Sequence, residues 1–443
     1  MARSWRDSYV GVPAFVVQPS TTEELQTAVR LCAEAGIAVV PQGGNTGLTG
    51  AAQPDGSGQQ VIISTRRLNR IRSIDLDDDT MVVEAGCILG DVKDAAEASQ
   101  RLFPLTLGAQ GSCTIGGNIA TNAGGINALR YGTMREMVCG LEVVLADGRI
   151  WNGLNSLRKD NAGYALKHLF IGSEGTLGIV TAATLKLFPL PRAVSTIFVG
   201  MESPAAALGW FRRLRHRFAE QVTAVELIER VCVDISMKHI PDIVDPLPQP
   251  HPWYVLADLA SFDNREDIKD GIGEVFAEAL EAGQVADGVL ATSSQQSAAL
   301  WRLREAIPDA HRREGISYKH DISVPVAKVP EFIEQASQAL AERFPGIRSF
   351  AFGHLGDGNI HFNPLQANGA PEADWSGKLA AVNRTTHDIA IRLGGSITAE
   401  HGIGQLRREE LAHYKPPIDL ELMRGLKSTL DPQFILNPGK IFV

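Results

Sequence analysis

The segment FAFGHLGDGNIHFN, residues 350–363, carries the most chemically pointed side chains of the chain. Gly356, Asp357, Gly358 and Asn359 are turn formers between alternating residues, so the spacing predicts a hairpin with a four-residue loop. In that register Leu355 pairs with Ile360, His354 sits directly opposite His361, and Asn363 joins their face. Directly opposed residues have Cβ atoms about 5 Å apart, close enough for two imidazoles to reach one metal ion. A hydrogen-bonded pair of core histidines is the competing reading. A catalytic zinc also wants a third protein ligand and an open position, and Glu400 in SITAEHGIG is the candidate, because glycines on either side let its backbone approach. The adjoining His401 is then free to act as an acid or base near neutral pH. Arg304 and Lys319 form a cationic pair able to receive a carboxylate, Arg in fork geometry and Lys as a point charge, the alternative being two solvated surface cations.

These groups need elements to hold them. Around Arg304 and Lys319 the sequence predicts a helix interrupted by Pro308, then a strand in which Tyr318, His320, Ile322, Val324 and Val326 share an apolar face and Lys319 points the other way. Far upstream, Leu102 to Leu129 carries no acidic side chain, no basic one and no histidine. Gly, Ser, Thr, Asn and Gln interrupt it every few positions, so it is no membrane span. Such a run is nearly all backbone, suited to a large uncharged-to-anionic ligand such as a dinucleotide, or else to a buried turn-rich segment. A second glycine loop, PQGGNTGLTG at Pro41 to Gly50, does not open a helix. The GxGxxG and GxxxxGK[ST] fingerprints are both missing, so neither a Rossmann nor a P-loop site is present. A third, LFIGSEGTLGIVTAATLKLFPLP, ends near Pro191, where strand-rich sequence gives way to longer helical patterns.

At 443 residues two domains are expected. Acidic residues outnumber basic ones, 51 against 42, and no basic stripe appears, which argues against nucleic acid as a partner. The five cysteines, Cys32, Cys87, Cys113, Cys139 and Cys232, include no CxxC pair, so free thiols in a reducing compartment are expected. With no secretory signal pattern and no membrane-spanning run, the sequence reads as cytoplasmic.

Taken in order, PQGGNTG, GGNIATNAGG, LRYGT, GLEVVLADG, KDNAGYALKHLFIGSEGTLGI, GHLGDGNIHFN, AEHGIG and LNPGK closely resemble the vanillyl-alcohol-oxidase-type FAD proteins, specifically the D-2-hydroxyacid dehydrogenase branch that includes D-2-hydroxyglutarate and D-lactate dehydrogenases. The resemblance spans nearly the whole chain, and eight ordered motifs are far more specific than any one of them. It implies an α+β protein: a PCMH-type FAD-binding domain of two α+β lobes over residues 1–191, a substrate domain with the metal site on an antiparallel sheet with helices over 192–400, and a segment, 401–443, returning to the FAD domain. By resemblance Pro41, Gly43, Gly44, Asn45, Thr46, Gly47 and Leu48 wrap the FAD pyrophosphate. Ser112, Gly116, Gly117, Asn118, Thr121, Asn122 and Gly124 form a second cradle, Gly175, Thr176, Gly178 and Ile179 a third, and Asn437 returns to the flavin. Some relatives attach FAD through a histidine in the first loop; here that loop reads GGNTG with Asn45, so FAD is expected to be held non-covalently.

The same resemblance makes His354, His361 and Glu400 ligands of a divalent metal, usually zinc. Asn363 becomes a substrate or outer contact, His401 the base, and Arg304 and Lys319 the holders of the substrate carboxylate. Electrons from a small D-2-hydroxyacid would leave the flavin for an electron-transfer flavoprotein or a quinone-linked acceptor, and the assembly allowed for is a homodimer. One departure matters: the hydroxyglutarate branch has hydroxyl side chains where this chain has Pro308 and Ile316, although PQGGNTG and KDNAGY look closer to that branch than to D-lactate enzymes. Two other classes stay open: a metal hydrolase using the same ligands with an activated water, and a non-catalytic flavin-binding protein.

Overall fold

A computed structural model describes residues 1–5, 9–263 and 265–442. The chain divides into two compact units: Met1–Gly125, Tyr131–Leu190 and Glu400–Val443 form the first, and Ile126–Arg130 with Pro191–Ala399 the second.

The first unit is α+β. A three-stranded parallel sheet orders Pro13–Val17, Gln60–Ser64 and Val39–Gln42. The helix Thr22–Glu34 starts at Thr21, whose side chain accepts the Glu24 N–H, and buries Leu25, Val29 and Cys32 at helical spacing. A five-stranded antiparallel sheet orders Ile71–Asp75, Thr80–Glu84, Ile179–Lys186, Val138–Val144 and Ile150–Gly153. Each sheet has its own apolar core, one around Val39, Val61 and Ile63 and the other around Val83, Leu141 and Leu185. The chain end is stitched to the parallel sheet, since Val39 N–H donates to Ile435 O and Asn437 N–H donates to Val39 O, each at 2.7 Å. The uncharged run is less bare than its composition suggests: Ile115–Ala120 and Ala128–Tyr131 are short helices.

The second unit is built on a seven-stranded antiparallel sheet in which Val222–Glu229 lies between Trp253–Ser261 and the hairpin strand Ala351–His354. Both faces are covered. Val225, Leu227, Val255 and Ala257 enter one core, while Ile228, Tyr254, Leu256 and Phe352 enter another, which follows from the two-residue period of a strand. The second face receives Leu300, Leu303, Ile307 and Ala310 from the helix Ser294–Arg312.

That helix corrects the predicted break: it runs through Pro308 without ending. Pro308 costs the one hydrogen bond its missing N–H would make, and burial of Leu303, Ile307 and Ala310 holds the helix across the gap. The strand expected over Tyr318–Val326 shrinks to Ile322–Ser323, with Val326 in a 3₁₀ turn, although Tyr318, His320, Ile322 and Val324 are buried and Lys319 is exposed as the alternation required.

Candidate active site

In the first unit the three glycine segments meet through main chain. Gly44 N–H donates to Thr114 Oγ1 at 3.1 Å. A Cβ on Gly43 would lie 2.3 Å from that hydroxyl, and one on Gly44 would lie 2.2 Å from Ser112 O, so only glycine lets the first loop lie against the second segment. Gly175, at φ 72°, places its backbone against Pro41, whose Cγ would be 3.1 Å from an added Cβ. Asn437 joins them, its side-chain N–H groups donating to Glu174 O at 2.7 Å and Ala51 O at 3.0 Å. The Oδ1 atoms of Asn118 and Asn437 and the Oε1 of Gln53 are buried without a hydrogen-bond partner. An orphaned buried acceptor costs about 1–3 kcal/mol, so these three, in or beside the glycine segments, fit a bound group with N–H and O–H donors.

Glu174 ties this cradle to the loop after His401. Its buried carboxylate accepts Ile403 N–H and Gly404 N–H, each at 2.7 Å. Burial raises its pKa, and those two N–H groups only partly offset it. Thr49 Oγ1 donates to His401 O at 3.4 Å, and Gly125 N–H reaches the Glu400 carboxylate at 3.4 Å.

In the second unit the histidine hairpin forms two residues out of the predicted register. His354 pairs with Asn359, Gly353 with Ile360, and His361 with Phe352. The loop is Leu355–Gly358, closed by Gly358 N–H donating to His354 O at 3.1 Å, with Gly358 at φ 82°. Asn359 is drawn into the strand because its amide donates to Asp321 Oδ1 and Ile322 O, each at 3.0 Å, whereas composition alone made it a turn residue. A shift of two preserves the face: His354 and His361 become diagonal neighbours with ring centroids 5.6 Å apart.

Carboxylates stand behind both rings. His354 Nδ1 and Glu226 Oε1 lie within hydrogen-bond distance, and His361 Nδ1 lies 3.8 Å from Asp321 Oδ1. Asp321, fully buried, also accepts Thr398 Oγ1 and Ala399 N–H through Oδ2 at 3.1 Å each. The other oxygen of Glu226 accepts Arg304 Nε–H at 2.5 Å, and the guanidinium lies over the Phe352 ring at 4.7 Å. Burial pushes the Glu226 pKa up, but Arg304 and His354 outweigh it and hold this carboxyl well below the usual range. Asn363 Oδ1 accepts His320 N–H at 2.9 Å, which leaves its amide N–H groups as the outward donors.

Two family models match the chain, one described as an FAD binding domain over residues 13–153 and one as FAD linked oxidases, C-terminal domain, over 190–441. The mitochondrial D-2-hydroxyglutarate dehydrogenase of Rattus norvegicus is 38% identical over 98% of this chain and 79% of its own length. The chain belongs to the FAD-dependent D-2-hydroxyacid dehydrogenase family. The D-2-hydroxyglutarate dehydrogenase of Xanthomonas citri pv. viticola is 37% identical over 99% of this chain and 91% of its own length. p-Cresol methylhydroxylase shares the fold at a TM-score of 0.74 and 19% identity, over 97% of this chain and 88% of that one.

For a dehydrogenase of this family the glycine-rich first unit is the FAD-binding part, and its unpartnered acceptors fit the ribityl, ribose and ring N–H donors of that cofactor. Some glycines and asparagines in the motifs have a packing or bracing role of their own. A Cβ on Gly116 would meet Ala85 Cβ at 2.7 Å and one on Gly178 would meet Val143 Cγ1 at 2.5 Å, so both are required by packing. Asn122 Oδ1 accepts Thr133 Oγ1 and Arg135 N–H, bracing a turn. His354, His361, Asn363 and Arg304 come together in the second unit, whereas Glu400 and His401 open the last stretch of the first. Sequence reasoning missed Glu226, Asp321 and Glu174. An acidic residue in the middle of the apolar strand VTAVELIE, whose other glutamate ends it, was the available signal for Glu226. Among the described residues no helix is long and apolar enough to cross a membrane, and the five cysteines are free thiols.

Proposed function

We propose that the protein oxidises a D-2-hydroxyacid, D-2-hydroxyglutarate first among candidates, to the 2-oxoacid. FAD would be held non-covalently and a divalent cation, zinc in the first instance, by His354, His361 and Glu400. The observation that carries this is the pair of hairpin imidazoles, each with a carboxylate at its Nδ1 side, on the same sheet face as a buried arginine. A carboxylate beside Nδ1 is the support an imidazole has when its Nε2 ligates a metal. Asp321 also anchors Thr398 and Ala399, so Glu400 and His401 follow by covalent connection directly from a residue tied to the His361 strand.

In this reading the Arg304 η nitrogens and Lys319 take a substrate carboxylate, and Asn363 donates its amide N–H to a substrate oxygen. His401 removes the hydroxyl proton. A divalent cation held by His354, His361 and Glu400 would supply Lewis-acid polarisation of that hydroxyl. FAD held by the glycine segments of the first unit would supply the hydride acceptor, with an electron-transfer flavoprotein or quinone-linked acceptor as the onward oxidant. A homodimer in a reducing compartment completes the reading; the rat relative is named as mitochondrial.

A second reading, a shorter acid such as D-lactate, draws on Pro308, which lies one helical turn beyond Arg304 and offers no hydroxyl to a distal carboxylate. Turnover with an artificial electron acceptor across D- and L-2-hydroxyacids of three to six carbons tests both. D-2-hydroxyglutarate should give the highest kcat/KM; a D-lactate optimum would favour the second reading, and a colourless protein with metal-dependent hydrolysis would refute both.

A further inference from the structure

We propose that Glu226 is the positioning residue for both ends of the substrate site: its carboxylate sets His354 in the tautomer that presents Nε2, and its other oxygen fixes the Arg304 guanidinium through Nε. The first half rests on the metal reading given above.

Glu226 lies on an interior strand of the seven-stranded sheet, directly across the ladder from His354, and its side chain is fully buried. An ionised carboxylate only accepts hydrogen bonds, so the atom facing it, His354 Nδ1, must carry hydrogen. In a neutral imidazole the lone pair is then on Nε2, the nitrogen a metal would use. Carboxylate support of this kind also makes the imidazole a stronger donor to the metal. The second oxygen takes Arg304 Nε–H at 2.5 Å. With the Phe352 ring on its face at 4.7 Å, the guanidinium is held at one edge and one face. Its η nitrogens, which make no hydrogen bond among the described residues, are placed to take an anion.

Two sites are thereby linked through one rigid strand residue. Both Glu226 oxygens face Arg304 and His354, so it would act through those two side chains. Its loss would release the ring that grips the cation and the fork that grips the carboxylate, whereas a purely structural ion pair would cost stability and leave metal affinity and KM alone.

The test uses wild-type protein first. Metal-free enzyme carrying ¹⁵N-histidine is examined by long-range ¹H–¹⁵N correlation at pH 8.5, with the His354 signal assigned from its loss in His354→Asn. A neutral ring protonated on Nδ1 is expected; protonation on Nε2, or a doubly protonated ring, would overturn the proposal. In the holoenzyme Glu226→Gln should then weaken zinc binding about 10- to 100-fold and raise KM for the hydroxyacid, with FAD content unchanged. Zinc affinity within twofold of wild type overturns the proposal, and so does an unchanged KM. Should Glu226→Gln fail to fold, the tautomer decides alone. Wild-type enzyme that takes up no zinc would sink the metal reading separately, since the tautomer is read without metal.

Discussion

Truncating Glu174 isolates what the cradle does for the loop that carries His401. Its two oxygens receive Ile403 N–H and Gly404 N–H at 2.7 Å each, in a site where Ile403 and the carboxylate itself are buried. Glu174→Ala leaves both donors without an acceptor, at about 1–3 kcal/mol apiece, or about 2–6 kcal/mol together, reduced by any water entering the gap. At about 2–4 °C per kcal/mol for a unit of this size, the melting temperature should fall by about 4–24 °C. Glu174→Gln keeps one carbonyl acceptor and sets an NH₂ against the other donor, so it should fall between Ala and wild type. Because the turn 402–404 follows His401 directly, kcat should drop in the same order while zinc content stays constant. Thermal melts, turnover and metal analysis on the three proteins check this. An alanine variant that melts within 1 °C of wild type and turns over within twofold would refute the reasoning.

Gly44→Ala would place a methyl 2.2 Å from Ser112 O and should yield colourless protein, whereas Gly56→Ala, with nothing within 4 Å, should stay yellow; absorbance at the flavin band reads both. Burial raises the Glu229 pKa to about 7, against the N–H of Ala351 and the hydroxyl of Ser349 that lower it. A carboxyl raised in the folded state favours folding below its unfolded pKa, near 4.5, and that contribution is lost as pH rises through about 7. The difference corresponds to about 3 kcal/mol at most, so Glu229→Gln should become progressively more stable than wild type between pH 5 and 8, as urea titrations at several pH values would show. His401→Ala should stay yellow and keep its metal but lose turnover; full activity would rule it out as the base.

Legibility followed range of interaction. Local signals were read well: the buried alternation of Tyr318, His320, Ile322 and Val324, with Lys319 exposed between them, depends on near neighbours. The hairpin register went wrong because Asn359 is claimed by Asp321, 38 residues away, a pull that composition does not encode. Pro308 was read as a break because the rule for proline is local, and the core under the helix overrides it. Within the site, His354 and His361 were visible as residue types on one face, and Arg304 as a cation. Their shared partner Glu226 was not, since it arrives from a strand 128 residues before His354. The glycine segments were recognised as backbone for a ligand, yet which glycines serve packing, as Gly116 and Gly178 do, depends on what each meets in space.

Rapid anaerobic mixing of the yellow enzyme with D-2-hydroxyglutarate, followed at the flavin band before and after chelation, tests hydroxyacid oxidation at a metal-dependent flavin most directly. Bleaching by the D enantiomer, lost on chelation and restored by zinc, is the expected result. Bleaching that survives complete metal removal, or none with any 2-hydroxyacid, would contradict it.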